Sequence, residues 1–324
     1  MQVLSGLVKL EMKRRRIRMK IVITGALGHI GSHLIRYGPF LDSVDEIILV
    51  DDLSTQRFAS LFDLPGPTKY RFLQGDVEAR LDRDALDGAS AVIHLAGITD
   101  PVGSVQAPAE LFGNNLRITR HVADVCADAG VPVIFSSTTS VYTPSLTTVD
   151  ESSTELAPAS PYAKCKLLEE EYLLRRMGPG MSLVFRFGTI FGASSGMRFH
   201  TAVNKFCWQA AQGVPIEVWS TAMNQTRPYL AVSDASAVIA RAAVEGVLPG
   251  CVINAVTCDV TVRDVLEAIR KCGRLPQVQL IDSPIMNSLS FSARTDAARA
   301  LGFNFRGDLE SGVRETLAIL GHLE

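Results

Sequence analysis

The sequence predicts an α/β fold with a doubly wound parallel sheet in its first part and a smaller α+β lobe in its second. Two observations predict it. Up to about residue 190, short runs of Val, Ile and Leu alternate with longer helix-like segments, a pattern typical of βαβ units. After residue 190 this alternation ends, and Pro, Gly and Asn recur through residues 213–228. The second part is therefore expected to mix helices with short strands and to fold back on the first.

The predicted strands of the first part are short, apolar and rich in β-branched residues. In chain order they are residues 21–23, 47–50, 70–73, 91–96, 131–135 and 181–186. A long helical stretch at about 105–129 separates the fourth strand from the fifth, and another helix is predicted over 161–177. We find no internal repeat and no low-complexity linker in the sequence.

The composition excludes several classes of protein. The chain is 47% hydrophobic and 20% charged with a net charge of −2, which argues against a nucleic-acid partner. Residues 13–18 are basic, and we expect residues 1–18 to be a disordered extension, with a nuclear or nucleic-acid patch as the alternative. No apolar run reaches the ~18 to 20 residues that span a membrane. Six cysteines without a Cys-x-x-Cys pair, and scattered histidines, predict no metal site and favour reduced thiols in the cytoplasm.

A glycine-rich turn joins the first predicted strand to the first helix. Residues 24–31 read Thr-Gly-Ala-Leu-Gly-His-Ile-Gly. Gly25 permits a tight turn, Gly28 lets the backbone approach a pyrophosphate, and Gly31 allows the helix to pack closely on the sheet. The helix N-terminus offers free N–H groups to the same anion. A simple turn before a packed helix is the alternative, but the position between strand and helix is the one that a dinucleotide site requires.

Residues at the ends of the next strands extend this predicted site. Asp51 ends the second strand about twenty residues after the turn, where a carboxylate accepts hydrogen bonds from ribose hydroxyls and repels a 2′-phosphate. NAD is therefore predicted in preference to NADP, although Arg57 lies close enough in sequence to reach a phosphate. Further predicted cofactor contacts follow the third and fourth strands: Asp76 and Val77, then Leu95, Ala96 and Gly97.

Tyr162 and Lys166 lie four residues apart at the start of a predicted helix, so the phenol and the ammonium share one face. A phenol with a pKa near ~10 is a poor base at neutral pH, and an adjacent cation favours the phenolate. Such a pair can take a proton from an alcohol and return it. The spacing alone also fits an amphipathic surface helix with a partly buried Tyr, and the glycine turn and Asp51 favour the catalytic interpretation.

Taken in order, these motifs resemble those of the extended short-chain dehydrogenase/reductase family, and within it the nucleotide-sugar epimerases and dehydratases of the UDP-glucose 4-epimerase type. They cover nearly the whole chain from Met19 onward. The resemblance implies an NAD-binding Rossmann-type domain at residues 19–190, with later segments folding back onto it, and a mainly substrate-binding lobe at 191–324. It also implies a homodimer formed through the helices at 105–129 and 161–177.

The resemblance also implies roles for individual residues. Tyr162 would be the acid/base, and Lys166 would bind the nicotinamide ribose and lower the pKa of Tyr162. Thr138 would hydrogen-bond the reacting oxygen, with capping of the strand end as the alternative. Asn115 would support the site from its helix, and Arg227 would contact the nucleotide diphosphate, with a structural salt bridge as the alternative. The predicted cofactor contacts are Gly25, Gly28, His29, Ile30, Gly31, Asp51, Asp76, Val77, Leu95, Ala96, Gly97, Asn115, Tyr162 and Lys166.

The chain departs from the family pattern at several positions. The 4,6-dehydratases carry an Asp-Glu pair directly after the catalytic threonine, where this chain has Thr139 and Ser140, which disfavours elimination of water. Thr189 replaces an asparagine that normally contacts the substrate or pyrophosphate. Arg198 and Asn204 belong to a polar, basic cluster that suits a phosphate or a carboxylated sugar, with an exposed helix start as the alternative. Together with the diphosphate contact named above, these three residues are the predicted substrate contacts.

The leading functional prediction is an NAD-dependent epimerase that inverts a nucleotide-diphosphate sugar, at C4, through a transient ketone. A net NAD(P)-dependent dehydrogenase or reductase of a sugar, or of another alcohol or ketone, is the alternative enzyme. A sensor that binds NAD without turnover is an alternative of another class, disfavoured by the intact set of Thr138, Tyr162 and Lys166. The expected partner is a nucleotide sugar, with no nucleic acid and no membrane.

Overall fold

We describe the fold from a computed structural model, in which residues 19–99, 107–142, 147–154, 156–282 and 290–321 are described. The residues 1–18 that were expected to be disordered lie outside these ranges. The strands are β1 Lys20–Thr24, β2 Glu46–Asp51, β3 Lys69–Gln74, β4 Ala89–His94, β5 Val133–Thr138, β6 Thr148–Val149, β7 Ser182–Phe187, β8 Thr189–Phe191, β9 Ile216–Trp219, β10 Arg227–Ala231, β11 Pro249–Ala255, β12 Cys258–Val260, β13 Val278–Ile281 and β14 Ser292–Ala293.

The helices connect these strands in the α/β order that the sequence predicts. They are α1 His29–Tyr37, α2 Val77–Arg80, α3 Arg83–Leu86, α4 Pro108–Ala129, α5 Pro161–Met177, α6 Ala202–Ala211, α7 Val232–Glu245, α8 Val262–Lys271, α9 Asp296–Ala300 and α10 Leu309–Leu320. Of the helix expected at about 105–129, residues 108–129 are helical and 105–106 lie outside the described ranges. Within the described ranges, no helix combines the length and the apolar character needed to cross a bilayer.

A seven-stranded sheet forms the centre of the molecule, in the order β11-β7-β5-β4-β1-β2-β3. Every neighbouring pair in it is parallel. The chain builds outward from β1 in one direction and from β4 in the other, so the strand order reverses between these two strands. In a doubly wound sheet this reversal opens a crevice at the carboxyl ends of the strands, where ligands bind.

Helices cover both faces of this sheet, because its strands alternate apolar side chains between the two sides. On one face, Ile21 and Ile23 of β1 pack in a cluster with residues of α1 and α7. On the other, Val22 packs in a cluster with residues of α4 and α5. This is the doubly wound architecture that the sequence predicts.

The second half of the chain forms small sheets and a core of its own. The strands β8, β10 and β12 make a three-stranded sheet, and β9 pairs with β13. A separate apolar cluster joins α6, α8 and α10 around Phe191 and Phe206. The strand β11 instead completes the edge of the central sheet beside β7. Because β11 lies far beyond residue 190 in the sequence but belongs to the central sheet, a division at residue 190 does not separate two sheets. The assignment of residues 19–190 to the cofactor and of 191–324 mainly to the substrate remains our proposal.

Candidate active site

The glycine turn lies in the crevice between β1 and β4. Gly25 has φ +65°, and a Cβ there would lie 2.6 Å from the Ala96 backbone nitrogen. A Cβ on Gly31 would lie 2.5 Å from the Ala26 carbonyl oxygen. Both positions therefore require glycine, one for its conformation and for the approach of β4, the other for the approach of the helix to its own turn. The structure thus brings the predicted turn against Leu95 and Ala96, and Gly97 lies beside the Asn115 side chain.

The first helix begins at this turn without a side-chain cap. Its N-cap is Gly28, and no side chain accepts a hydrogen bond from the first turn. Uncapped N–H groups and the positive end of the helix dipole form an anion site, which suits the pyrophosphate of a dinucleotide. Ile30 follows in the first turn and lines the same crevice.

His29, the first residue of that helix, is buried and binds the second half of the chain. Its Nε2–H donates to the Gly192 carbonyl oxygen at 2.8 Å. Burial lowers the pKa of His29 to about 3, so the imidazole is neutral. Asn204 holds the same residue from the other side: its Oδ1 accepts from the Gly192 N–H at 3.1 Å, and its amide donates to the Gly192 carbonyl oxygen at 3.4 Å.

Asp51 lies at the end of β2 and contacts two backbone turns. One carboxylate oxygen accepts from the Leu27 N–H and the other from the Leu53 N–H, each at 3.0 Å. Burial raises the pKa of Asp51, while these two hydrogen bonds act in the opposite direction. The carboxylate is thus fixed beside the glycine turn, in the position that the sequence predicts for a ribose contact.

Asp76 follows the end of β3, and Asn115 lies on α4. The Asp76 side chain caps α2 and pairs with Arg117 at 2.8 Å, and this hydrogen bond lowers the pKa of Asp76. The neighbouring Val77 is buried. Asn115 is fully buried and pins the chain after β4: its Oδ1 accepts from the Ile98 N–H at 2.8 Å and its amide donates to the Ile98 carbonyl oxygen at 2.9 Å. Contact of Asp76, Val77 and Asn115 with the cofactor stays a prediction.

Tyr162 and Lys166 occupy the first turns of α5. Ser160 caps this helix by accepting from the Ala163 N–H at 3.1 Å, and Pro161 follows in the first turn, so the start of the helix is fixed by sequence. Burial raises the pKa of the Tyr162 phenol, and the positive charge of Lys166 lowers it. Lys166 is buried, and its Nζ lies 4.5 Å from the ring centre of Phe135.

Thr138 brings a hydroxyl to the same place from the end of β5. It is nearly buried and accepts a hydrogen bond from the Ser140 N–H at 3.1 Å. Thr138 therefore caps the end of the strand, which was the alternative to a catalytic role. It also lines a cleft, and the two roles are compatible because a hydroxyl retains its own proton. The described residues that line this cleft include Gly25, Gly28, His29, Ile30, Gly31, Leu95, Thr138, Tyr162, Thr189 and Arg198, and none of those described is acidic.

The predicted substrate contacts divide between cleft and interior. Thr189 and Arg198 line the cleft, and the charge of Arg198 acts on both Tyr162 and His29. Asn204 is fully buried and holds Gly192, so we now assign it to positioning that loop instead of touching a substrate. Arg227 begins β10 outside the cleft lining, and burial lowers the pKa of its guanidinium. The ion pairs among the described residues do not include Arg227, which leaves its predicted diphosphate contact open.

Sequence reasoning missed several polar residues of this region. Ser136, Ser137, Ser140, Thr99 and Thr201 also line the cleft. The two positions that are acidic in the 4,6-dehydratases differ from each other in this chain. The Thr139 hydroxyl donates to the Phe187 carbonyl oxygen at 3.3 Å, whereas Ser140 lines the cleft. The run of Ser and Thr residues at the end of β5 was the available signal, since a strand end at the crevice places successive side chains near it.

The fold and the cleft together define the class of protein. The glycine turn, Thr138 and Tyr162 line one cleft, and the acid at the end of β2, Asp51, contacts the turn. The chain belongs to the NAD dependent epimerase/dehydratase family, whose sequence profile matches residues 21–255. The predicted family, the predicted fold class and, at the level of the family, the predicted cofactor NAD are therefore confirmed.

Individual relatives are more distant. The chain is 28% identical over 235 residues to a UDP-glucose 4-epimerase of Azospirillum brasilense, an alignment that covers 66% of this chain and 65% of that enzyme. The chain thus spans slightly less than two thirds of the length of that relative. Among solved structures, MoeE5 in complex with UDP-glucuronic acid and NAD is similar at 26% identity with a TM-score of 0.79, covering 92% of this chain and 98% of MoeE5. The NAD dependent NDP-hexosamine 5,6-dehydratase TunA is similar at 27% identity with a TM-score of 0.80, covering 94% and 98%.

The residues of the crevice fit the cofactor that the family implies. The helix N-terminus at Gly28 has no side-chain cap, and Asp51 places a carboxylate beside that turn. These are the features that accommodate a pyrophosphate and an adenine ribose. Within the described ranges no cluster of His, Cys, Asp and Glu suited to a metal ion is found.

Proposed function

We propose that this protein is an NAD-dependent epimerase of a nucleotide-diphosphate sugar, acting at C4. The observation that carries the proposal is that Thr138, Tyr162 and the glycine turn line one cleft. When bound, NAD takes up and returns the hydride of the sugar carbon, so that the sugar passes through a ketone. The relatives named UDP-glucose 4-epimerase support this choice of reaction.

The proposed chemistry of the chain is a proton relay. Tyr162 takes the proton of the C4 hydroxyl and gives it back, and the Lys166 ammonium favours the phenolate that this requires. The Thr138 hydroxyl hydrogen-bonds the reacting oxygen and orients it toward Tyr162. We assign the glycine turn and Asp51 to the dinucleotide, and Arg198 and Arg227 to the negative charges of the substrate. The absence of acidic side chains among the described residues of the cleft lining supports an anionic substrate.

The direct test is the substitution Tyr162→Phe. We expect turnover to fall by roughly 10²- to 10⁴-fold, because the proton relay is lost while the ring still packs. Tyr37→Phe is the matched control, since Tyr37 is 63% exposed at the far end of α1 and should leave turnover unchanged. Near-normal turnover of the Tyr162→Phe variant would show that the assignment is wrong.

The products distinguish the alternatives. A panel of UDP-, GDP-, CDP- and dTDP-sugars with catalytic NAD, followed by mass spectrometry and separation of isomers, should yield an isomer of unchanged mass. A net dehydrogenase would instead accumulate NADH, visible by absorbance, and a dehydratase would release water and lower the product mass. NAD binding without any product across the panel would favour the non-catalytic sensor.

Location and assembly complete the proposal. We propose a cytoplasmic protein, which the six free cysteines support. We also propose a homodimer that packs α4 and α5 of one subunit against those of the other, with the exposed Leu168 on α5 as one apolar contact. A single monomer peak in size-exclusion chromatography with light scattering would contradict the dimer.

A further inference from the structure

The buried Lys166 has a buried counter-ion in Glu169. Glu169 Oε2 lies 3.4 Å from Lys166 Nζ, and the side chains are 0% and 2% exposed. The ordinary fate of a lysine in such a place is loss of its proton, because burial disfavours the charged form. A carboxylate that remains beside it reverses this tendency. Among the groups acting on Lys166, burial lowers its pKa, but Glu169 and Tyr162 outweigh burial, so that the pKa of Lys166 is raised overall.

A buried chain of hydrogen bonds holds that carboxylate. The Thr119 hydroxyl donates to Glu169 Oε1 at 2.6 Å, so its oxygen is free to accept from His94 Nε2–H at 3.1 Å. His94 Nδ1 then accepts from the Thr24 hydroxyl at 2.7 Å, and the Ala96 N–H donates to Thr24 at 3.4 Å. A carboxylate only accepts, which fixes the direction of every bond and the tautomer of the imidazole.

The imidazole of His94, which belongs to this series of hydrogen bonds, is neutral. Burial and, in second place, the charge of Lys166 lower the pKa of His94 to about 3. Its ring stacks on Phe135 with 5.5 Å between ring centres, on the same aromatic side chain that Lys166 contacts. The negative charge of Glu169 is therefore not shared with His94 and acts on Lys166.

We propose that Glu169 is a positioning residue whose carboxylate keeps Lys166 charged and in place beside Tyr162. The hydrogen-bonded chain ties that carboxylate to Thr24 and Ala96, at the ends of the two strands that enclose the crevice. The catalytic part of this inference rests on the proposed function, in which Lys166 favours the phenolate. The other titratable groups that face the pair are Cys165 on α5, His94 on β4 and, near Tyr162, Arg198 from the segment before α6.

The test that needs no substrate is the thermal stability of Glu169→Gln as a function of pH. At neutral pH the variant must bury a charged lysine without a counter-ion or discharge it, so its Tm should lie below that of the wild type. Because the pKa of Lys166 falls in the variant, the unfolded variant binds more protons than the folded one, and its stability recovers as pH rises. The gap in Tm should therefore narrow from neutral pH toward the ordinary lysine pKa of about 10.4.

Glu171→Gln is the matched control, because Glu171 is a neighbour on the same helix that is 68% exposed and pairs with the exposed Arg175. It should show no pH-dependent gap. A gap for Glu169→Gln that stays constant with pH would mean that the side chain only fills space, and would overturn the proposal.

The second readout is the pH profile of kcat/KM on a substrate that the wild type turns over. Removal of a negative charge lowers the pKa of both Tyr162 and Lys166, so both limbs of the profile should move to lower pH, by about 1 unit for the direct partner Lys166. Glu169→Asp, which keeps the charge, should retain the wild-type limbs. Unmoved limbs in Glu169→Gln would contradict the proposal.

A second pair of variants covers the case in which Glu169→Gln fails to fold. Thr119→Val removes the hydroxyl that donates to the carboxylate, and Thr119→Ser keeps it. We expect the limbs of Thr119→Val to move in the same direction but less, and identical profiles for the two would overturn the proposal. If the Tm gap narrows as expected while the wild type turns over no sugar nucleotide, the ion pair stands and the proposed reaction fails.

Discussion

Asp51 acts on the cofactor site through two contacts at once. Its oxygens accept from the Leu27 and Leu53 backbones, which hold the glycine turn and the segment after β2 against each other. The same carboxylate is where a ribose hydroxyl of NAD is expected, so its charge both organises the turn and opposes a 2′-phosphate. Burial raises the pKa of Asp51, and the charge of the nearby Arg57 acts in the opposite direction.

The substitution Asp51→Asn separates these two effects. An amide oxygen still accepts one backbone hydrogen bond, but the negative charge is lost, so NADP should gain affinity relative to NAD by about tenfold, or about 1.4 kcal/mol. Titration of both dinucleotides by calorimetry measures the ratio. Asp52→Asn is the control, because Asp52 is exposed and accepts from the N–H of its near neighbour Ser54. An unchanged ratio in Asp51→Asn would remove Asp51 from cofactor selection.

Two adjacent glutamates show what sequence alone conveys at this scale. The run Leu-Leu-Glu-Glu-Glu at 167–171 is typical of an exposed amphipathic helix, yet of its three glutamates only Glu171 is exposed. Glu169 is buried against Lys166, and Glu170 is buried against Arg186 of β7 at 2.7 Å. The spacing of Tyr162 and Lys166 was predictable because both lie on one helix. The burial of the glutamates was not, since it depends on other elements that cover them, Thr119 of α4 at Glu169 and Arg186 of β7 at Glu170.

At the scale of elements, the start of α5 determines where the Tyr-Lys pair stands. Ser160 caps the helix at 3.1 Å, and Tyr162 follows in the first turn. Ser160→Ala should lower the free energy of unfolding by about 1 kcal/mol and reduce turnover, because fraying of the first turn displaces Tyr162. Urea unfolding and initial rates measure both effects. Ser160→Asn, which retains a cap, should restore them, and equal losses in both variants would show that capping is not the cause.

Elements with a strong local signal were predictable, and those defined by distant pairing were not. The strands β1 to β5 and β7 each contain an apolar run at nearly the predicted position. The strand β11 was not singled out, because its run follows Pro249 and Gly250 and its place beside β7 is set by tertiary contacts. For the same reason no sequence pattern could predict the hydrogen bonds between Asn204 and Gly192.

At the scale of the whole molecule, neutral buried histidines make stability depend on pH. Burial lowers the pKa of His29 and His94 to about 3 and that of His33 to about 4, against an ordinary value of 6.5. Below pH 6.5 these three histidines are protonated in the unfolded chain but stay neutral in the folded chain. Stability therefore falls as pH falls, until His33 and then the other two are protonated in the folded state.

The expected slope is about 1.4 kcal/mol per pH unit for each imidazole across that window. Urea unfolding at a series of pH values below neutrality measures it. His29→Phe removes one of the three imidazoles, so the dependence of the free energy of unfolding on pH should become less steep. The variant also loses the hydrogen bond to Gly192. A variant with the wild-type slope would show that His29 does not contribute to this dependence.

The contact between the glycine turn and the segment 192–196 limits how this chain can be recombined with its relatives. Beside the bond from His29 to Gly192, the Gly196 N–H donates to the Ser32 hydroxyl at 2.9 Å, and a Cβ on Gly196 would lie 2.2 Å from the Leu27 carbonyl oxygen. The two segments are far apart in the sequence but contact each other in the fold, so they must be exchanged together. A chimera that takes the segment 192–196 from a relative without the matching residues at 29 and 32 would disrupt the glycine turn.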